Sequence, residues 1–163
     1  MTNFSIWVDA DSCPTPVREI IIRFCKRLKL ELIYVANHPI PMPKSELFKM
    51  IVCDATPDAA DNYVVENSKK DDIVITRDIP MASRLLEKEI TTINDRGLLF
   101  THENIKEKLS LRNFNKELYE NGIISEKTST FNKKDVNNFA NCFDREIQKK
   151  IKTLRQAMSF EYL

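Results

Sequence analysis

Short apolar runs alternate with helix-length segments over the first two-thirds of this chain, and that alternation restricts the fold more than any other feature. The runs at 4–8, 31–36, 48–53, 72–76 and 91–94 read as strands, the first of them buried and the fourth central. Pro14 and Pro16 open a helix reaching about Lys29, with Val17, Ile20, Ile21, Phe24 and Leu28 at helical spacing. Thr56-Pro57-Asp58 predicts the next helix start, combining a cap, a first-turn proline and early acids. A third helix follows over 79–89. Strands alternating with helices argue for parallel βα units. From about His102 the pattern becomes wholly helical, with helices predicted over 103–109, 113–120 and 133–158. Gly122 and a polar run at 125–130 separate the last two. With 163 residues the chain suits a single domain over 1–163, an α/β core at 1–110 with a helical extension at 111–163 packed on it. That amphipathic tail fits completion of the core, a cover over a cleft or a homodimer contact.

Where the first strand ends, in Trp7-Val8-Asp9-Ala10-Asp11-Ser12-Cys13-Pro14, two carboxylates stand at alternate positions. Ligands of open α/β sheets bind beyond the carboxyl ends of the strands. Asp78 follows the run Ile73-Val74-Ile75, Asp95 follows Ile93-Asn94, and Asp58 and Asp61 share one face of a helix start. Bland readings exist: Asp58 complements a helix dipole, Asp78 caps the helix at Ile79, and Asp95 is a turn residue and secondary. Acids gathered at neighbouring strand ends nonetheless repel one another unless something positive binds between them. Mg²⁺ or Mn²⁺ prefers such hard oxygen ligands and supports one- or two-metal phosphodiester hydrolysis. Asp9, Asp11, Asp58, Asp61 and Asp78 are the candidate metal ligands, and Asp9, Asp11, Asp61 and Asp78 the candidate catalytic set. Ser12 or Thr76 could orient a phosphate or water. Arg77, Arg96 and Lys44 could contact backbone phosphates, although each also reads as a solvated surface charge.

Composition narrows the alternatives. A formal net charge of +1 excludes a protein that coats nucleic acid by charge alone. No apolar run approaches the roughly 20 residues of a membrane span, and the N-terminus lacks a signal-peptide pattern. The four cysteines are scattered without CxxC spacing, which suits unpaired thiols in a reducing cytoplasm. Two histidines are too few for a His-rich metal site, and two glycines exclude a glycine loop cradling phosphates. Cys13 beside acids should have its thiol pKa pushed up, which argues against a nucleophilic cysteine. Trp7 reads as core, the bases Arg23, Lys26, Arg27 and Lys29 as the wet face of the first helix, and His38 as a loop residue with no evident partner.

At these residues the chain resembles the YaiI/YqxD family (UPF0178, DUF188), a bacterial group related to the PIN-like nuclease fold. The likeness is carried by 7–14, Val35-Ala36-Asn37, Pro57-Asp58-Ala59-Ala60-Asp61-Asn62, the long motif at 72–82, Asn94 with Arg96-Gly97, Thr101 with Asn104-Ile105, and the tail segment at 139–147. It implies an α/β PIN-like three-layer sandwich with a central, mostly parallel sheet and a C-terminal helical extension. It also implies a metal-dependent nuclease acting on nucleic acid, RNA rather than DNA, through Asp9, Asp11, Asp61 and Asp78 with Asp58 nearby. Asp95 stands where relatives tend to have proline, so the resemblance gives it no ligand role. Two other classes compete. A phosphatase resembling the haloacid-dehalogenase group also ends a strand in Asp-x-Asp and a later one in Thr, as at Thr76; here, however, Cys13 replaces the usual Thr or Val, and Asp71-Asp72 precedes its strand. A catalytically inactive PIN-like module binding RNA or a protein is the other.

Overall fold

The computed structural model describes residues 4–124 and 130–161, so residues 125–129 of the expected polar spacer lie outside the described residues. In chain order the elements are β1 (Ser5–Asp9), α1 (Thr15–Leu28), β2 (Glu31–Ala36), β3 (Phe48–Val52), α2 (Ala59–Asn67), β4 (Ile73–Ile75), α3 (Ile79–Glu87), β5 (Thr91–Ile93), α4 (His102–Glu120) and α5 (Lys133–Glu161). The strands form one five-stranded sheet in the order β3-β2-β1-β4-β5. Every pairing in it is parallel, where a mostly parallel sheet was expected. From β1 the chain steps outward to β2 and β3, then returns to β4 and β5 on the other side. The winding direction therefore reverses between β1 and β4, and their carboxyl ends border the crevice such a reversal leaves open.

Alternating side chains explain why the strands are apolar throughout. Ile6 and Val8 of β1, Leu32 and Tyr34 of β2, and Ile73 and Ile75 of β4 face one layer, where they pack with Val17, Ile21 and Cys25 of α1 and Phe139, Phe143 and Ile147 of α5. Trp7, Ile33, Val35 and Val74 face the other, against Val64 and Val65 of α2 and Met81 and Leu85 of α3. The result is a three-layer α/β sandwich, with α4 set outside α3 through Ile105, Leu86 and Ala82. Phe139, Phe143 and Ile147 of α5 are fully buried, and the Phe143 ring stacks on Phe139 and meets Phe24 edge-on, each at 5.3 Å between centroids. Side chains of this size contribute about 1.5–3 kcal/mol each on burial, so α5 is a structural member of the core. It docks where the Arg96-Gly97 turn lets it: Gly97 has φ +84°, and a Cβ there would lie 2.3 Å from the Asn138 carbonyl oxygen.

Three local expectations need correction. The helix expected from Thr56 starts at Ala59, because Asp54 accepts both the Thr56 N–H (2.9 Å) and the Thr56 hydroxyl in an Asx turn. Asp58 then takes a left-handed conformation (φ 65°) without capping α2 by its side chain. Second, the two helices expected at 103–109 and 113–120 are one continuous α4, since Ser110-Leu111-Arg112 contains neither Gly nor Pro to break it. Thr101 and Asn104 start α4 with reciprocal side-chain-to-backbone caps. Third, β4 begins at Ile73, not Asp72. The Asp72 carboxylate is buried at the amino end of the sheet, where it accepts Ser5 N–H (2.8 Å), the Trp7 indole N–H (3.0 Å) and Lys69 N–H (2.8 Å).

Candidate functional site

The crevice between β1 and β4 is built by residues that the ends of those strands release. Asp9 closes β1, and one of its carboxylate oxygens accepts the Thr76 hydroxyl at 2.9 Å and the Ser12 hydroxyl at 3.3 Å. The Thr76 hydroxyl also accepts the Asp78 N–H at 3.0 Å, so a single side chain ties both strand ends together. Asp78 caps α3 by accepting Met81 N–H at 2.9 Å, which fixes its carboxylate at the rim. Asp61, in the first turn of α2, comes within hydrogen-bond reach of the Asp78 carboxyl.

Crowding shows in the proton affinities. Burial raises the Asp9 pKa, only partly offset by the Thr76 hydrogen bond, and the Asp78 charge raises it further. Asp61 is pushed up to about 7, first by burial, then by the charges of Asp78 and Asp9, the hydrogen bond to Asp78 and the charge of Asp58. Asp61 is therefore the acid of this cluster that keeps its proton to the highest pH. The Cys13 thiol is pushed up to about 12, by burial first and then by Asp95, and it supplies no thiolate.

The structure brings together Asp9, Asp61 and Asp78 from the candidate set, with Asp58 close enough to act on Asp61. Asp11 behaves differently. Although its charge reaches Asp9, its carboxylate accepts Asn37 N–H at 3.1 Å and pairs with His38 Nδ1 at 3.0 Å, across the end of β2. Ser12 and Thr76 both serve Asp9. Arg77 is bonded to Asp95, and Arg96 pairs with Asp135 of α5 at 3.3 Å. Among the described residues no three His, Cys, Asp or Glu side chains stand gathered tightly enough to hold a metal ion as they are. In donor chemistry, however, the cluster suits a hard divalent cation: carboxylate oxygens only, crowded until a proton must be retained.

Asp95 is the residue that sequence reasoning undervalued. Asn94 makes the turn itself, its side-chain oxygen accepting Arg96 N–H and Leu98 N–H at 2.9 Å each. Asp95 is thereby free to turn inward, where it is 4% exposed and grips the half-exposed Arg77 guanidinium beside Asp9. A carboxylate two residues past a buried strand was the available signal. The partnership of His38 with Asp11 had none.

Fold and crevice together define a doubly wound parallel α/β protein with a carboxylate cluster at its switch point. Residues 7–149 match the family described as "Uncharacterized BCR, YaiI/YqxD family" (DUF188). The UPF0178 protein of Treponema denticola is 48% identical over 147 residues, covering 90% of this chain and 94% of that protein. That of Psychromonas ingrahamii is 44% identical over 149 residues (91% and 99%), and that of Treponema pallidum 40% identical over 152 residues (93% and 86%). The chain belongs to the YaiI/YqxD (UPF0178) family. No solved structure matches it. Among the described residues no helix is long and apolar enough to cross a membrane.

Proposed function

We propose that this protein is a metal-dependent phosphodiesterase that cleaves nucleic acid, RNA in preference to DNA. The observation that supports it most is the convergence of Asp9, Asp61 and Asp78 at the switch point, crowded enough to push Asp61 up to about 7. In this reading Asp9, Asp61 and Asp78 hold Mg²⁺ or Mn²⁺, with Asp58 adding negative charge at the rim. The ion, when bound, polarises the phosphoryl group and lowers the pKa of the attacking water. Thr76 and Ser12 hold Asp9 in place by donating to one of its oxygens, leaving the other for the ion. Asp95 fixes Arg77 so that its exposed edge meets the negative charge growing on the phosphoryl oxygens. The phosphatase alternative lacks support here, because Asp72 lies at the opposite end of the sheet with its oxygens already engaged.

The test is cleavage of end-labelled single-stranded and hairpin RNA and DNA with Mn²⁺ or Mg²⁺, with Asp78→Asn in parallel. Asn also caps helices, so α3 is kept. Metal-dependent cutting of RNA that falls at least a hundredfold in Asp78→Asn is the expected result, in line with losses seen on removing charge-stabilising groups. Equal cutting by both proteins, or none by wild type, would sink the nuclease reading in favour of a binding module.

A further inference from the structure

A near-neutral composition conceals an uneven distribution of charge. The acids of the crevice are matched by a stripe of bases and amides along α5: Lys134, Asn138, Asn141, Arg145, Gln148, Lys152 and Arg155 recur at alternating steps of four and three residues. That spacing puts them on one helical face, and every member is exposed. Phe139, Phe143 and Ile147 face the core from the opposite side. The seven positions include no acid, and the one exposed carboxylate at their edge, Asp144, accepts from Gln148 Nε2 at 3.5 Å. Glu146 is buried beside the stripe, 3.2 Å from Lys149 and 3.8 Å from Arg145, so it offsets one of two neighbouring bases. The face spans roughly 30 Å at 1.5 Å per residue.

Its position joins it to the crevice. The first turns of α5 lie at the carboxyl end of the sheet, where Asp135 pairs with Arg96 and Asn138 packs on Gly97. Near its other end, Lys150 and Leu154 lie beside Phe4 and Thr91 at the amino ends of the strands. Two ion pairs bridge the interval: Arg77 with Asp95 beside Asp9, and Arg96 with Asp135. Between the Arg96–Leu98 turn and α5 runs an open groove of about 420 Å³, lined by Asn138, Asn141 and Arg145.

We infer that the outward face of α5 is a docking track for single-stranded RNA, leading the strand to the crevice between β1 and β4. The inference rests on the nuclease reading for where the strand goes, but not for whether it binds. Charge complementarity selects a polyanion. The interleaved amides select RNA, because Asn and Gln both donate to and accept from ribose 2′-hydroxyls, whereas phosphates need only cations.

The experiment measures binding of a labelled single-stranded RNA in EDTA across a salt series, using the full chain and Lys134→Ala/Lys152→Ala/Arg155→Ala. These positions avoid the pairs with Glu146, and alanine preserves an exposed helix. A control, Lys106→Ala/Arg112→Ala/Lys116→Ala, removes the same charge from exposed positions of α4, where glutamates intervene. The track variant should bind about tenfold more weakly, with the salt slope reduced by about 2, while the control keeps wild-type affinity. Wild-type affinity in the track variant, or an equal loss in the control, would overturn the track. DNA of the same sequence binding as tightly as RNA would overturn the choice of RNA. Hydrolysis of bis(p-nitrophenyl) phosphate with Mn²⁺ by the wild-type protein tests the catalytic reading separately. Its failure beside a weakened track variant would remove the nuclease and keep the docking track.

Discussion

Asp72 and Asp61 are both acids at the margins of the same sheet, one at its amino end and one at its carboxyl end, and they have opposite surroundings. Asp72 is enclosed by three N–H donors, two from backbone and one from the Trp7 indole. Asp61 faces other carboxylates, and its proton affinity rises accordingly. Burial alone therefore does not distinguish a structural acid from a reactive one. The partners do: donors make an acid a fastener, whereas like charges make it a place where a cation is wanted.

The largest effect that could break this contrast lies at Asp72. Replacing it by alanine leaves the Trp7 indole and the Ser5 and Lys69 amides without an acceptor, and a loss of about 3 kcal/mol is expected in urea unfolding. A loss below about 1 kcal/mol would show that Asp72 is not the fastener described. Next in size is the response to metal. Saturating Mn²⁺ at about 100 times its Kd should stabilise the wild-type protein by about 2.7 kcal/mol, a rise in Tm of about 5–10 °C. Asp72→Asn should keep that rise and Asp61→Asn should lose most of it; equal shifts in both would erase the distinction between the two ends. The smallest effect is on pH. Because the folded pKa of Asp61 lies above its unfolded value of 3.8, the folded state binds the extra proton between about pH 4 and 7. In EDTA this acid's contribution to stability is full below about pH 4 and is lost as pH rises through about 7. Asp61→Asn should flatten that decline and raise the metal-free Tm by about 2 °C at pH 7.5. An unchanged slope would mean that the acids are not crowded in solution.

Much of this arrangement was legible in the chain because burial on both faces of a parallel sheet forces unbroken apolar runs. Glu31–Ala36 appears as read, and the other strands differ from the reading by a residue or so at their ends. Asp9 stood out because an acid that ends such a run is costly without a partner, and Asp78 because it follows the run Ile73-Val74-Ile75 within a few residues. What escaped is what short-range competition or long-range pairing decides. The start of α2 shifted because Asp54 claimed Thr56, a rivalry between two residues that are each plausible caps. Asp95 looked like an ordinary turn acid because its turn is made by Asn94, while its partner Arg77 is 18 residues away. Nor could periodicity show that the stripe on α5 begins beside the crevice, which depends on Gly97 admitting the Asn138 backbone.

The burial of Phe139, Phe143 and Ile147 also bears on how the protein is made. These side chains cover the face formed by Ile6, Val8 and Ile73, yet the ribosome delivers them more than sixty residues after β4. Until then the nascent sheet shows an uncovered apolar surface, the kind of exposure that chaperones bind and that aggregates when synthesis stalls. A chain terminated before Lys133 would carry every carboxylate of the crevice in its sequence but lack the helix that closes the core.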